Sequence, residues 1–382
     1  MDILYIVENA NLRGGTELLT FSLMNALRLE EQDCRILSIV PYKGNDANVL
    51  SLTEDEYQAW SISAKSFRNK LSFNKESDYI LEVILRKKIR DLKPRVVVNQ
   101  TYDLITALPI DLNVCQVFNW SVRGYENSVK KSILRKGIIG RILSLYVYRG
   151  VCKRRHDVLS KVSKLITLSN AAADELKSLN PHVKDVQIEM IPDPLVVSKD
   201  SMIISSLQNK NIIFVGRLSY EKGALRILRI WERISKRLSN YSLHIYGEGD
   251  VEDEMHKYIC SRHLERVKFK GFCSEHSRIY PNADLLCMTS DTEGFGMVLI
   301  EAMYYGVPCI SFDCPISPKE IIADAGVTIS CFDEDAYANA VIELLNDKDK
   351  LKELQRKSIE RAKDYYINKV TALWLQMLNS KI

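Results

Sequence analysis

Short apolar runs rich in β-branched residues alternate with amphipathic stretches of helical length along nearly the whole chain. The first half carries "DILYIV", "CRILSIV", "RVVVNQ", "NVCQVF", "KLITLS" and "VQIEMIP"; the second carries "NIIFVG", "SLHIYG", "VKFKGF", "DLLCMTS" and "PCISFD". Most of these runs lack an alternating polar face, which suits strands buried on both sides. Helical stretches between them suit crossover connections, so the expected fold class is α/β with parallel sheets.

At 382 residues the chain is too long for one ordinary core, and each half reads as a Rossmann-like unit. Pro192 and Pro194 interrupt regular structure in "IPDPLVVSKDSMIISSLQNKN", and a polar stretch follows. The expected domains are therefore 1–194 and 210–365, with a linker at 195–209 and a terminal segment at 366–382. Open parallel sheets bind ligands at the carboxyl ends of their strands, so two such sheets facing each other predict one inter-domain cleft.

Nine scattered cysteines include no Cys-x-x-Cys pair and no Cys/His cluster at zinc spacing, which points to a reducing compartment and no structural metal. The amino terminus, "MDILYIVENANLRGG", starts acidic and reads as a strand rather than a secretory signal. "GIIGRILSLYVY" falls short of the roughly 20 residues that span a bilayer and contains Arg141. A cytoplasmic protein that does not cross the membrane is expected.

Four loops after strands carry the chemistry. "NLRGGTE" places Gly14 and Gly15 before a helix expected near Thr16, where bare backbone N–H groups suit an anion; the alternative is a tight turn. "RLSYEKGALRIL" puts Arg217 beside Gly216 at a strand end and Lys222 five residues on, two cations for a diphosphate or a solvated surface pair. "EGD" follows Gly247 and leaves backbone open beside a nucleotide, or merely turns. "TSDTEGFGMVLIEAMYYGVP" sets Glu293 in a loop and Glu301 about one turn into a helix running from Met297 to Tyr305. A carboxylate in an apolar helix must be satisfied, and the vicinal hydroxyls of a ribose would do so. Glu293, at the cleft mouth, is placed to accept from a sugar; a salt-bridged helix acid is the competing reading.

"FVGRLSYEKG", followed by "DTEGFGMVLIEAMYYGVPCIS", resembles the carboxyl-terminal domain of the retaining glycosyltransferases of family 4, GT-B enzymes with a Glu-x7-Glu motif. The resemblance extends over essentially the whole chain, including "GGTE" and the segment "YYINKVTALWLQMLNSKI", which resembles a helix returning to the first domain. It implies that Arg217 and Lys222 bind the donor's diphosphate and that Glu301 holds its ribose. Glu293, with the backbone of Gly294, Phe295, Gly296, Met297 and Val298, would hold the donor sugar and distal phosphate. Gly15 would approach that phosphate from the other domain. The implied reaction is a metal-independent, retaining transfer from a nucleotide diphosphate sugar, a UDP-sugar on family grounds, to an acceptor hydroxyl. The donor is a substrate, so no cofactor is expected.

Two positions depart from the family. Many relatives carry a histidine near the donor sugar, where this chain has Asn119 and Trp120; Asn119 is the candidate sugar or acceptor contact. Relatives often have Gly-Pro before a "KEII"-like segment, whereas this chain has Ser317 and Pro318.

Residues 123–164 hold twelve Lys or Arg against Glu126 and Asp157, a net charge of +10 in a chain whose total is +4. A helix here would bury Ile, Leu and Tyr on one side and present cations on the other, suited to an anionic membrane face and a lipid-linked or saccharide acceptor. The other reading is an ordinary solvated face. Nucleic acid is not expected as a partner, because the aromatic stacking platforms of single-strand binders are not evident. Two rival functions compete for the same residues. A nicotinamide-dependent dehydrogenase is disfavoured by the missing Gly-x-Gly-x-x-Gly after the first strand. A non-catalytic GT-B binding subunit is disfavoured by the presence of Arg217, Lys222, Glu293 and Glu301 together.

Overall fold

A computed structural model describes residues 1–12, 15–66, 69, 72–119, 121–124, 133, 138–180, 183, 185–197 and 203–380. The chain divides into two compact units, Met1–Pro192 with Ile367–Ile382, and Asp193–Tyr366.

The first unit holds β1 (Ile3–Val7), β2 (Cys34–Ser38), β3 (Val49–Ser51), β4 (Val96–Asn99), β5 (Val114–Phe118), β6 (Lys164–Thr167) and β7 (Gln187–Met190). They form one parallel sheet in the order β3-β2-β1-β4-β5-β6-β7. Every residue of β1, β4, β5 and β6 is buried, as strands covered on both faces must be. The terminal helix Ile367–Asn379 lays Val370, Trp374 and Met377 into this unit, with Trp374 edge-on to Tyr5 at 6.0 Å. Buried Lys164 fastens the same helix by donating to Ser380 Oγ at 2.6 Å and to Glu189 Oε1 at 2.8 Å.

The second unit holds β8 (Asn211–Val215), β9 (Ser242–Tyr246), β10 (Val267–Gly271), β11 (Leu285–Met288), β12 (Cys309–Phe312) and β13 (Gly326–Ile329). Their parallel order is β10-β9-β8-β11-β12-β13. The helix Ala224–Ile234 buries Ile227, Ile230, Trp231 and Ile234 on one face, and Trp231 donates its indole N–H to Glu265 O at 3.0 Å. After β8 the chain crosses outward to β9, and after β11 it crosses the opposite way to β12. The loops leaving these two neighbouring strands therefore diverge, and such a reversal point is where an open α/β sheet takes its ligand.

Two elements were not expected from the sequence, β3 and β13. Both are short strands at sheet edges, and both are only partly buried, so neither presents a continuous apolar run. The expected linker also differs. Leu195 N–H donates to Tyr365 O at 2.6 Å, and Ser205 Oγ donates to Ala283 O at 2.5 Å, so the described parts of 195–209 are fastened within the second unit.

Candidate functional site

The loops after β8 and β11 interlock through backbone. Gly223 opens the helix Ala224–Ile234 with φ at +69°, and a Cβ placed there would fall 2.0 Å from Thr289 O. Thr289 Oγ1 donates to Gly223 O at 3.0 Å, and Asp291 N–H donates to Glu221 O at 2.7 Å. Arg226 ties the joint from beneath, donating to Thr289 O at 2.6 Å and to Asp291 Oδ1 at 2.7 Å.

This joint brings together Lys222 and Glu293, which lie 71 residues apart. Lys222 Nζ donates to Glu293 Oε2 at 2.7 Å, and Ser290 Oγ donates to Oε1 at 2.5 Å. The carboxylate is 8% exposed, against the expectation that it sits open at a cleft mouth, because both oxygens are drawn inward by these partners. Lys222 is 27% exposed, so its ammonium keeps an outward side for an anion. Burial, and next the charge on Glu293, push the adjacent Cys314 thiol well above its ordinary range, so it stands here as a neutral wall.

Arg217 follows β8 with its side chain 65% exposed, and its ion pair to Glu221 is loose at 3.9 Å. It borders a cavity of about 260 Å³ at the ends of β8, β9 and β10, whose wall includes Gly216, Tyr246, Phe272 and Cys273. A Cβ built on Gly216 would meet nothing within 4 Å. Gly247, read from sequence as open backbone, is different: its Cβ would lie 1.9 Å from Gly216 O, so the glycine is required by the close approach of two loops.

The Gly-Phe-Gly turn leads into the helix Met297–Tyr304, with Gly296 at its amino-terminal cap and φ at +99°. Its first turn leaves the N–H groups of Met297 and Val298 without intrahelical acceptors and gives that end a partial positive charge. Phe295 is buried edge-on to Tyr365 at 5.6 Å. Ser317, where relatives often have glycine, donates from Oγ to Gly294 O at 2.8 Å and so braces the turn from the loop after β12. Glu301 Oε2 accepts from buried Tyr280 at 2.5 Å, and His276 Nε2 lies 3.8 Å away. Burial and the nearby Glu301 carboxylate push the Tyr280 phenol well above its usual value, so it remains a donor. One oxygen of Glu301 is thus satisfied within the protein, where sequence had left both to a ligand. Ser290, Tyr280 and Phe272 were missed because nothing in their local spacing marks them; Ser317 stood out only as a departure from the family, with no role attached.

In the first unit Gly15 begins the helix Gly15–Leu29, with nothing within 4 Å of a Cβ placed on it. Gly14 and Trp120 lie outside the described residues. Asn119 follows β5 and donates its amide to Gln100 Oε1 at 2.8 Å. The basic segment is described at 123–124, 133 and 138–164, and includes the helix Ile138–Leu159. Apolar residues and cations do not take opposite sides of that helix as expected: Ile138, Ile142 and Tyr146 are exposed together with Arg149 and Lys153. Arg154 and Arg155 instead turn inward to Asp78 and Asp103. Among the described residues, no helix is long and apolar enough to cross a membrane.

Residues 203–365 match the family described as glycosyl transferases group 1. The whole chain is 24% identical over 384 residues to an uncharacterized glycosyltransferase of Haemophilus influenzae, covering 98% of this chain and 99% of that one. Over 196 residues it is 30% identical to a Campylobacter jejuni α-1,4-N-acetyl-D-galactosaminyltransferase whose named substrate is a diNAcBac-PP-undecaprenol glycan; 50% of this chain and 54% of that one are covered. The solved structure of the pneumococcal O-GlcNAc transferase GtfA, in complex with UDP and GlcNAc, superposes with a TM-score of 0.71 at 13% identity, covering 99% of this chain and 98% of that one. The fold is that of the GT-B glycosyltransferases.

Proposed function

We propose that this protein, with its group 1 glycosyl transferase domain at residues 203–365, is a retaining glycosyltransferase that needs no metal. It moves a sugar from a UDP-sugar to an acceptor hydroxyl, in the building of a surface polysaccharide or related glycan on the cytoplasmic face of a membrane. The acceptor is a saccharide, free or lipid-linked. The observation that carries this reading is the Lys222–Glu293 pair, held at 2.7 Å where the strand order of the second sheet reverses.

Departure of a nucleoside diphosphate from the anomeric carbon leaves negative charge on the β-phosphate, so the barrier falls most where fixed positive potential meets that oxygen. Lys222 supplies it from the outward side of its ammonium, Arg217 from the end of β8, and the helix Met297–Tyr304 from its N–H groups. Glu293 holds Lys222 in place and offers its remaining lone pairs to the sugar hydroxyls. Glu301 keeps one oxygen for the ribose while Tyr280 fixes the other. The cavity beside Arg217, with Phe272 at its rim, takes the base. Retention follows if the departing phosphate itself takes the acceptor's proton on the same face.

The match of residues 203–365 to glycosyl transferases lends nothing to a nicotinamide dehydrogenase. Titration calorimetry with UDP, GDP and NADH tests the reading at the level of binding. UDP is expected to bind, and more weakly to Glu301→Ala; binding of NADH alone would overturn it. The anomeric configuration of the product, read by NMR, tests retention.

A further inference from the structure

The helix Ile138–Leu159 exposes Ile138 by 75%, Ile142 by 65% and Tyr146 by 59%, and Arg149 and Lys153 are exposed as well. Steps of four, four, three and four residues stack these five side chains in one stripe about 80° wide at 100° per residue. Tyr146 leans on Phe73 at 5.2 Å between ring centroids and still keeps 59% of its surface exposed, while Arg154 pairs with Asp78 at 2.7 Å and Arg155 pairs with Asp103. The two arginine pairs fix the rotation of the helix, so Ile138 and Ile142 face out by construction.

We propose that this stripe seats the protein on an anionic lipid bilayer. Ile138, Ile142 and Tyr146 enter the boundary between headgroups and acyl chains, while Arg149 and Lys153 meet lipid phosphates. Asp157, exposed at the carboxyl end of the helix, marks where the stripe leaves the surface. Charge selects this occupant. Residues 123–164 carry a net +10, of which +7 remains once Arg154, Arg155 and Lys164 are set against Asp78, Asp103 and Glu189, so a second copy of the chain would set like charges against each other, whereas an anionic leaflet complements them. The inference does not rest on the transferase reading, since vesicle binding and turnover are read separately.

The test is co-sedimentation of the full chain with phosphatidylcholine vesicles, with and without phosphatidylglycerol. Salt-sensitive binding to the anionic vesicles is expected. Arg149→Gln with Lys153→Gln should lower partitioning about 30-fold, roughly fivefold per cation. Ile138→Asn with Ile142→Asn should lower it at least about tenfold. Tyr146→Trp should shift its emission to the blue on anionic vesicles only. All are surface changes, so circular dichroism should match the wild type. Absent binding, equal binding to neutral vesicles, indifference to either pair of substitutions, or a stripe variant that changes the sedimentation of the protein alone would each overturn the proposal.

Discussion

Replacing Lys222 by methionine removes the cation held against the buried Glu293 carboxylate, and its cost can be worked from the pair. Breaking a fully buried ion pair by deleting one partner costs about 3–5 kcal/mol. Here Lys222 is 27% exposed and Ser290 continues to donate to Glu293, so the expected loss is about 2 kcal/mol. Glu293→Gln keeps an acceptor oxygen for Lys222 and turns its amide N–H toward the Ser290 hydroxyl, which can accept as well as donate, and should cost about 1 kcal/mol. With both changes no charge is stranded, and the loss should be about 1.5 kcal/mol instead of the 3 kcal/mol of the sum, a coupling of about 1.5 kcal/mol. Hydrogen exchange of peptides from β8 and β11 reads these losses inside the second unit. Additive single changes would refute the claim that the pair joins the two loops. Turnover separates from stability in this set: both single variants should fall about 100- to 1,000-fold, although Glu293→Gln is nearly as stable as the wild type.

Arg217→Ala should leave stability within about 0.5 kcal/mol, because the side chain is exposed, yet lower turnover about 100-fold or more; thermal unfolding and steady-state rates check the two halves. Glu301→Gln and Tyr280→Phe should both raise the donor KM, the second by several-fold because it frees the oriented oxygen. Unchanged values in both would leave Glu301 a structural acid. Gly247→Ala should destabilise the second unit by more than about 3 kcal/mol in urea titrations, given the 1.9 Å approach to Gly216 O. His244, buried on β9 with Nε2 unpartnered among the described residues, has its pKa pushed down to about 4 by burial first and by Lys270 and Lys268 next. The unfolded chain takes up that proton near pH 6.5 and the folded one does not. Stability should therefore be full above pH 6.5 and fall by up to about 3 kcal/mol as pH drops to 4. His244→Leu should flatten that slope.

The central strands were legible because burial on both faces writes itself as continuous apolar runs, while β3 and β13, partly exposed at the edges, leave no such mark. Lys222 and Glu293 were each legible as candidate site residues, but their union was not. It depends on Gly223 and Thr289 meeting at the joint of two loops. The same holds for Glu301, whose partner Tyr280 arrives from a 3₁₀ turn 21 residues earlier. In the basic helix the sequence supplied the charges, but its rotation is set by Asp78 and Asp103, two acids far outside the segment. A helical wheel drawn on residues 138–159 alone has no means of weighting them.

The most direct measurement is release of nucleoside diphosphate from a panel of UDP- and GDP-sugars, with and without acceptor saccharides. The wild type should release UDP from at least one UDP-sugar, and Lys222→Ala, Arg217→Ala and Glu293→Gln should each cut that release about 100-fold or more without loss of fold. Wild-type inactivity on every donor, or near-normal release by all three variants, would contradict the assignment of this site to glycosyl transfer.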